Sequence, residues 1–414
     1  MSRIRRSLAV LVGLTIAVPA LALGGQSASA AQTSFAFMGS GFTSSVRGGS
    51  LPVSSGRTAY ATLGCTNQTG LERTNTAATV DIDGLPIRLG ASETSVRTLG
   101  FSNGAATVST NTIADVQVFG GPGNRLTIDG LRSVARAANR NGEFTSSARF
   151  TLVSASLTLG GVSTPVTKQR LREGIVLPGI AEIELADNVE RVSDTGARSV
   201  VTGLKITVLA IPNPAVVKLG RASAQINDGN PIGLFSGAAS VVKATGLGNG
   251  VRSGPLAYQP LPCRGTNGNW RHDTIAVAGL PGVVRARGLD AATFGLATAE
   301  YNSARSVAKV AKATLLDGRL VVRGLVVRAN VRKTADGTYT RNSDGSSLAS
   351  IRLDGEVIDV PDPGETILIP GAVRIRFQTV DRSPTGIAVY GLRIELLGSG
   401  GVIVQLAKAS AFIR

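Results

Sequence analysis

The sequence predicts an all-β protein built from two homologous antiparallel β-sandwich or barrel-like domains that arose by internal duplication. Three observations lead there. Val, Ile and Thr recur in short alternating runs divided by Gly, Asn, Asp and Pro, the pattern of half-buried strands between turns. Glycine is frequent, at 51 residues, and aromatics make up only 4%, while a hydrophobic content of 43% is enough for a real core. Marker segments also recur in the same order in two halves of the chain.

The first thirty residues read as a cleaved signal peptide. Arg3, Arg5 and Arg6 form a basic start, Leu8 to Leu23 is an apolar run interrupted by Pro19, and Ala28-Ser29-Ala30 supplies a small-x-small cleavage pattern. A retained anchor is disfavoured because the run is short and carries a proline. Arg5-Arg6 hints at twin-arginine export, but no strongly apolar residue follows at once, which favours the ordinary secretory route. No later stretch is long and apolar enough to span a bilayer as a helix, and the chain ends Ala411-Phe412-Ile413-Arg414 without a sorting tail. The expectation is a secreted protein, soluble or held non-covalently at the cell surface.

Two domains are expected, over residues 31–229 and 230–414, with a short link near Asn227-Asp228-Gly229-Asn230-Pro231. Ala59-Tyr60 and Cys65 answer Ala257-Tyr258 and Cys263; Arg125-Leu126 with Gly130-Leu131 answers Arg319-Leu320 with Gly324-Leu325. Leu177-Pro178-Gly179 answers Ile369-Pro370-Gly371, and Gly203-Leu204-Lys205-Ile206 answers Gly391-Leu392-Arg393-Ile394. The offset shrinks from 263 − 65 = 198 to 410 − 223 = 187, so loops changed length while strands kept register. A unit of this length is a domain and not a solenoid repeat.

Within the copies, Leu126-Thr127-Ile128, Phe150 to Val153, Ile180 to Leu185, Leu204 to Val208, Leu320-Val321-Val322 and Val373 to Phe377 read as strands. Asp129-Gly130, Asn141-Gly142, Asp317-Gly318, Asp336-Gly337, Asp344-Gly345 and Asp354-Gly355 read as turns. Ser133 to Asn139 and Ser303 to Leu316 are Ala-rich enough to pass for helix, but their matched placement beside Gly-Leu strands favours β.

Cys65 and Cys263 are the chain's two cysteines and hold equivalent positions. In an oxidising compartment an inter-repeat disulfide is expected, because equivalent positions approach most easily across a pseudo-twofold axis. The alternative is two buried thiols acting as small apolar core residues. Glu182 and Glu184 of the first copy become Arg374 and Arg376 of the second. Opposite charges at matched places either pair the two domains across that axis or face water separately, where they contribute little.

The formal net charge is +16, and it is spread over both copies: residues 31–227 carry 18 basic and 13 acidic side chains, and residues 228–414 carry 22 and 14. Arginine outnumbers lysine, which suits bidentate contact with phosphate or carboxylate. For an exported protein the partner this implies is an anionic cell-wall polymer or an acidic polysaccharide. Specific nucleic-acid recognition is not expected, since no aromatic-and-basic stacking platform, helix-turn-helix or finger pattern is visible.

Catalysis finds little support. His272, the single histidine, sits beside Asp273 and reads as an ordinary loop residue, and no Gly-x-Ser-x-Gly elbow surrounds a serine. One His and two distant Cys provide poorly for zinc. Asp81 with Asp83, and Asp359 with Asp362, are the carboxylate pairs a hydrolase or a calcium site would use, but Asp81-Ile82-Asp83-Gly84 lacks the closing Glu of a calcium loop. Gly246 to Gly250 has no following Lys-Ser/Thr and reads as a flexible loop. No catalytic, cofactor or metal residue is therefore assigned.

Each copy resembles the choice-of-anchor P group of exported actinobacterial proteins. The resemblance lies in the Ala-Tyr opening strand, the Arg-Leu-x-x-x-Gly-Leu segment at Arg125 to Leu131 and Arg319 to Leu325, the Leu/Ile-Pro-Gly strand, and the closing Gly-Leu-Lys/Arg-Ile and Ala-Ser-Ala pair. It implies a surface or secreted β protein and brings no catalytic residues. The expected function is a non-enzymatic binding or structural role at the cell envelope; the alternative is a carboxylate-dependent hydrolase acting on wall polysaccharide. Oligomeric state is not legible.

Overall fold

The computed structural model describes residues 31–48, 57–82, 85–209, 214–229, 233–245, 254–280, 283–370, 373–397 and 402–414. The signal-like segment over 1–30, Asp83, Asn230-Pro231 of the expected link and the glycine-rich stretch 246–250 lie outside the described residues. Among those described, the strands form four antiparallel sheets, so the fold is all-β. Among the described residues, helical structure is confined to Lys168–Glu173, where the Thr167 hydroxyl caps by accepting from the Arg170 N–H, and to a 3-10 turn at Leu316–Gly318.

Sheets I and II are built from residues before 229, and sheets III and IV from residues after 234. In sheet I, Ala215–Asp228 lies between Gln32–Gly48 and Gly196–Val208, and Gln32–Gly48 pairs on its other side with Ala61–Gln68. Gly196–Val208 carries Ala181–Leu185 and Val189–Ser193 end to end. In sheet II, Gly104–Phe119 lies between Ser92–Phe101 and Arg125–Arg140, and the latter carries Glu143–Thr151 and Ser154–Leu159.

The pairings recur in the second half. In sheet IV, Tyr301–Leu315 lies between Val284–Ala297 and Leu320–Thr334, which carries Tyr339–Asn342 and Ser350–Leu353. In sheet III, Gly386–Leu396 pairs on one side with Val373–Ser383 and on the other with two short strands in line, Val402–Gln405 and Lys408–Ile413. Lys408–Ile413 pairs in turn with Phe235–Val241, and that with Ala257–Pro260. The two short strands occupy the place of Ala215–Asp228 in sheet I, and they break at Leu406-Ala407 where the first half has Gly220 at a positive φ of 64°.

Each half is a two-layer sandwich with its core between the layers. In the first, Leu126, Ile128 and Leu131 of sheet II meet Leu204, Ile206, Val217 and Leu219 of sheet I. Burying each such side chain contributes about 1.5–3 kcal/mol. The other end of this sandwich is lined by small residues, Ala135, Ala137, Ala222 and Ala224 around Phe37 and Phe144. The second half has one continuous core that includes Leu320, Val322, Val327, Val389, Leu392 and Ile394.

The Ala-rich stretches are strands, over Arg125–Arg140 and Tyr301–Leu315. Asn141-Gly142, Asp317-Gly318, Asp336-Gly337, Asp344-Gly345 and Asp354-Gly355 lie between strands. Asp129-Gly130 does not turn the chain: both residues lie inside Arg125–Arg140, where Gly130 bends the strand at a φ of 61° without ending it. Gly324 does the same at 63° inside Leu320–Thr334. The expected link also shifts, because Asn227 and Asp228 are the last residues of a sheet I strand, paired with Ala36 and Phe35. Among the described residues no helix is long and apolar enough to cross a membrane.

Candidate functional site

The core face of sheet I takes most of the apolar residues of its long strands, so their polar residues fall on the opposite face. Along Ala215–Asp228 the buried residues are Ala215, Val217 and Leu219, then Ala222, Ala224 and Ile226, because Gly220 shifts the alternation by one. Lys218, Arg221 and Ser223 therefore share the outer face. Register sets Phe42 and Thr202 on either side of Arg221, and Ser45 and Lys205 on either side of Lys218. Arg198 and Arg47 lie further along the neighbouring strands.

This face is covered in part by the second half. Tyr258, Gln259 and Pro260 of one strand, with His272, Asp273 and Ile275 of another, wall a cleft of about 440 Å³ whose floor holds Phe42, Arg198, Lys218 and Arg221. A second depression of about 400 Å³ shares Arg198, Lys218 and Arg221 and is rimmed by Glu184, Asp187 and Arg191. The Arg57 guanidinium lies over three rings, 5.5 Å from Phe42, 5.2 Å from Tyr60 and 5.3 Å from Tyr258, and Arg221 lies 5.9 Å from Phe42.

Five cations thus converge. Arg47 pairs with Asp273 at 3.1 Å, and the Asp273 carboxylate also accepts the Tyr258 N–H at 2.9 Å, which ties the two halves together. Arg57, Arg198, Lys218 and Arg221 form none of the ion pairs found among the described residues. Burial, then the charges of Arg57, Arg198 and Arg47, push the Arg221 guanidinium down to about 10. Burial lowers Arg198 and Lys218 as well, with Arg191 the next cause for the first and Arg221 for the second. All remain charged at neutral pH, so the cleft holds an uncompensated positive field in a partly desolvated place. An oxyanion entering it would gain charge-assisted hydrogen bonds and remove the mutual repulsion.

The cysteines lie beside this cleft. Cys65 and Cys263 are joined by a disulfide with their Cα atoms 5.2 Å apart, and they are packed with Ala36, Leu234 and Met38. Met38 in turn lines the cleft. Glu182, Glu184, Arg374 and Arg376 are not brought together. Glu184 is held by Lys205, its cross-strand neighbour, and Arg374 by Glu395 at 3.1 Å, likewise its neighbour. Glu184 and Arg374 each meet a partner inside their own sheet, on the directly opposed position of the next strand.

His272 is not in a loop: it lies on the strand Arg271–Leu280, with Nδ1 2.9 Å from Asp290 Oδ1. Asp81 is held by Arg88 at 2.8 Å, and Glu365 accepts the Asp362 N–H. Glu184 and Asp187 share one rim, but Lys205 holds Glu184. Among the described residues no group of three or more His, Cys, Asp or Glu could hold a metal ion. Arg57, Arg198, Lys218 and Arg221 were not singled out by sequence; for Arg198, Lys218 and Arg221 the signal is a cation at the outward position of a strand, whereas Arg57 lies outside the strands, ahead of Ala61–Gln68.

No protein-family model matches the chain, and no curated protein matches it. Among solved structures, a protein described as AttH from Nitrosomonas europaea aligns at 8% identity over 96% of this chain and 98% of its own, with a TM-score of 0.15. The translocator domain of the autotransporter NalP from Neisseria meningitidis aligns at 9% identity over 92% and 89%, with a TM-score of 0.11. Transferrin binding protein B from Haemophilus parasuis aligns at 10% identity over 92% and 77%, also at 0.11. At scores this low the alignments carry no argument about fold or function.

Proposed function

We propose that this chain is an exported, non-enzymatic binding or structural protein of the cell envelope that holds an anionic polymer in the cleft between its halves. The observation that carries the reading is the convergence of Arg57 with Arg198, Lys218 and Arg221 of the sheet I outer face, none of which forms an ion pair found among the described residues. A polymer bearing phosphate or carboxylate groups matches that chemistry, since guanidinium forks bind both in bidentate fashion. Export is supported by the signal-like pattern of residues 1–30 and by a disulfide, which persists in oxidising compartments. The repeated strand pairings and matched glycines support two copies of one ancestral unit.

The test is retention of the oxidised protein on isolated Gram-positive walls, with and without their anionic polymer, across a salt series. Retention that falls with polymer removal, with rising salt and in an Arg198→Gln, Arg221→Gln variant is expected. Retention indifferent to all three would end the reading.

A further inference from the structure

We infer that Arg376 and Arg393 form a second anion-binding subsite, on the outer face of sheet III, that takes the carboxylate of an acidic saccharide. The choice of ligand class rests on the reading of this chain as a binder of anionic polymer; the subsite itself rests on a comparison of matched positions in the two halves.

In the first half, Glu184 stands directly opposite Lys205, and the two form an ion pair. At the matched place in sheet III, Arg376 stands directly opposite Arg393. One neutralised pair has become two like charges in cross-strand register, an arrangement that opposes folding unless something negative joins them. Neither arginine forms any ion pair found among the described residues, although Arg374, two positions away on the same strand, has Glu395. The sheet therefore supplies an acid to one arginine of that strand and a second cation to the other.

The row continues across the sheet. Gln405 stands opposite Arg393, and Lys243 opposite Gln405. These four line a cleft of about 900 Å³, larger than the one between the halves. Asp381 also lines it, but its charge acts on Tyr390 and Lys408. The remaining polar lining is one further cation, Arg382, with Ser343, Gln378, Thr245, Thr379 and Tyr390, amides and hydroxyls that both donate and accept. A bare phosphate would use the two guanidinium forks and leave this lining idle. A sugar acid uses both: its carboxylate bridges the arginines, and its ring hydroxyls meet the amides and hydroxyls around them.

Titration calorimetry of the oxidised protein with a galacturonate trimer, and separately with a glycerol-phosphate oligomer, tests this at low and moderate salt. Arg376→Glu is the informative variant because it rebuilds the pair the first half already uses and should fold. Arg376→Glu and Arg393→Gln are each expected to weaken galacturonate binding on the order of tenfold, the worth of one charge-assisted contact. Unchanged galacturonate binding in Arg376→Glu overturns the subsite but not the polymer reading, provided that Arg221→Gln lowers binding of the phosphate oligomer. Tighter binding of the phosphate oligomer than of galacturonate at Arg376 overturns the saccharide assignment. If the wild-type protein binds neither probe, the polymer reading falls along with the subsite.

Discussion

Tyr60 and Tyr258 occupy matching places in the two halves, and they meet edge to face with their ring centroids 5.5 Å apart. The same is true of Cys65 and Cys263, which are bonded. Matched residues that touch their own counterparts are the mark of a self-complementary interface about a local twofold. The relation is incomplete, because Arg57 lies over both rings from one side. That asymmetry puts cations in the cleft on the first half's face and leaves the second half to wall it.

The disulfide should carry much of the association between the halves. Closing a loop of 198 positions is worth on the order of 5 kcal/mol in the chain-entropy model. A Cys65→Ser, Cys263→Ser variant, or reduction of the native protein, is expected to lower stability by about 2–5 kcal/mol in a denaturant melt. A melt that reductant does not move would mean that the noncovalent contacts suffice.

Arg221→Gln should separate stability from binding. The wild-type guanidinium is half-buried near Arg57, Arg198 and Arg47 and forms no ion pair found among the described residues. Removing the charge is expected to raise stability by about 1 kcal/mol while weakening retention on polyanions. A variant that loses both would show that Arg221 has a structural partner the cleft depends on.

The pH dependence has a definite sign. A basic group whose folded value is depressed makes the folded state less stable wherever it is charged, and that cost is relieved as pH rises through the depressed value. For Arg221, at about 10, the cost is present at neutral pH and fades above about pH 10; burial lowers Lys218 in the same direction. Polyanion affinity should therefore hold level from neutral pH to about 9 and fall beyond 10. A fall beginning near pH 7 would point to a different group.

Gly130 and Gly324 should respond alike to substitution. Each adopts a positive φ, 61° and 63°, in mid-strand, and an added Cβ would collide with Val153 at the first and Ala349 at the second. Alanine at either is expected to cost at least about 1–2 kcal/mol from the backbone alone. Thermal melts of the two single variants test this; a silent change at one position would break the correspondence between the halves.

The same two glycines show what sequence could and could not disclose. Asp129-Gly130 and Asn141-Gly142 are nearly the same dipeptide, yet the first bends a strand and the second reverses the chain. The residue after each glycine makes the difference: Leu131 continues the buried face of the same strand, whereas Glu143 opens a new one. The exchange of Glu184 for Arg376 was visible in the repeat, but the partner of each was not. Cross-strand neighbours depend on register, and Lys205 and Arg393 become adjacent to them only once the hairpins are fixed. The cleft was illegible for a related reason, since Arg57, Arg198 and Arg221 come from separate segments and meet only when sheet I is complete.

That completion comes late. Gln32–Gly48, the earliest described strand, has Ala215–Asp228 as its neighbour over thirteen paired residues. Sheet I cannot close until almost the whole first half has been synthesised or delivered across a membrane. Loop closure on that scale slows folding, and it leaves the edge of a long early strand open to pairing with the wrong chain in the meantime. A protein organised in this way should refold slowly in isolation, show concentration-dependent losses during refolding, and gain yield from any helper that shields unpaired strand edges.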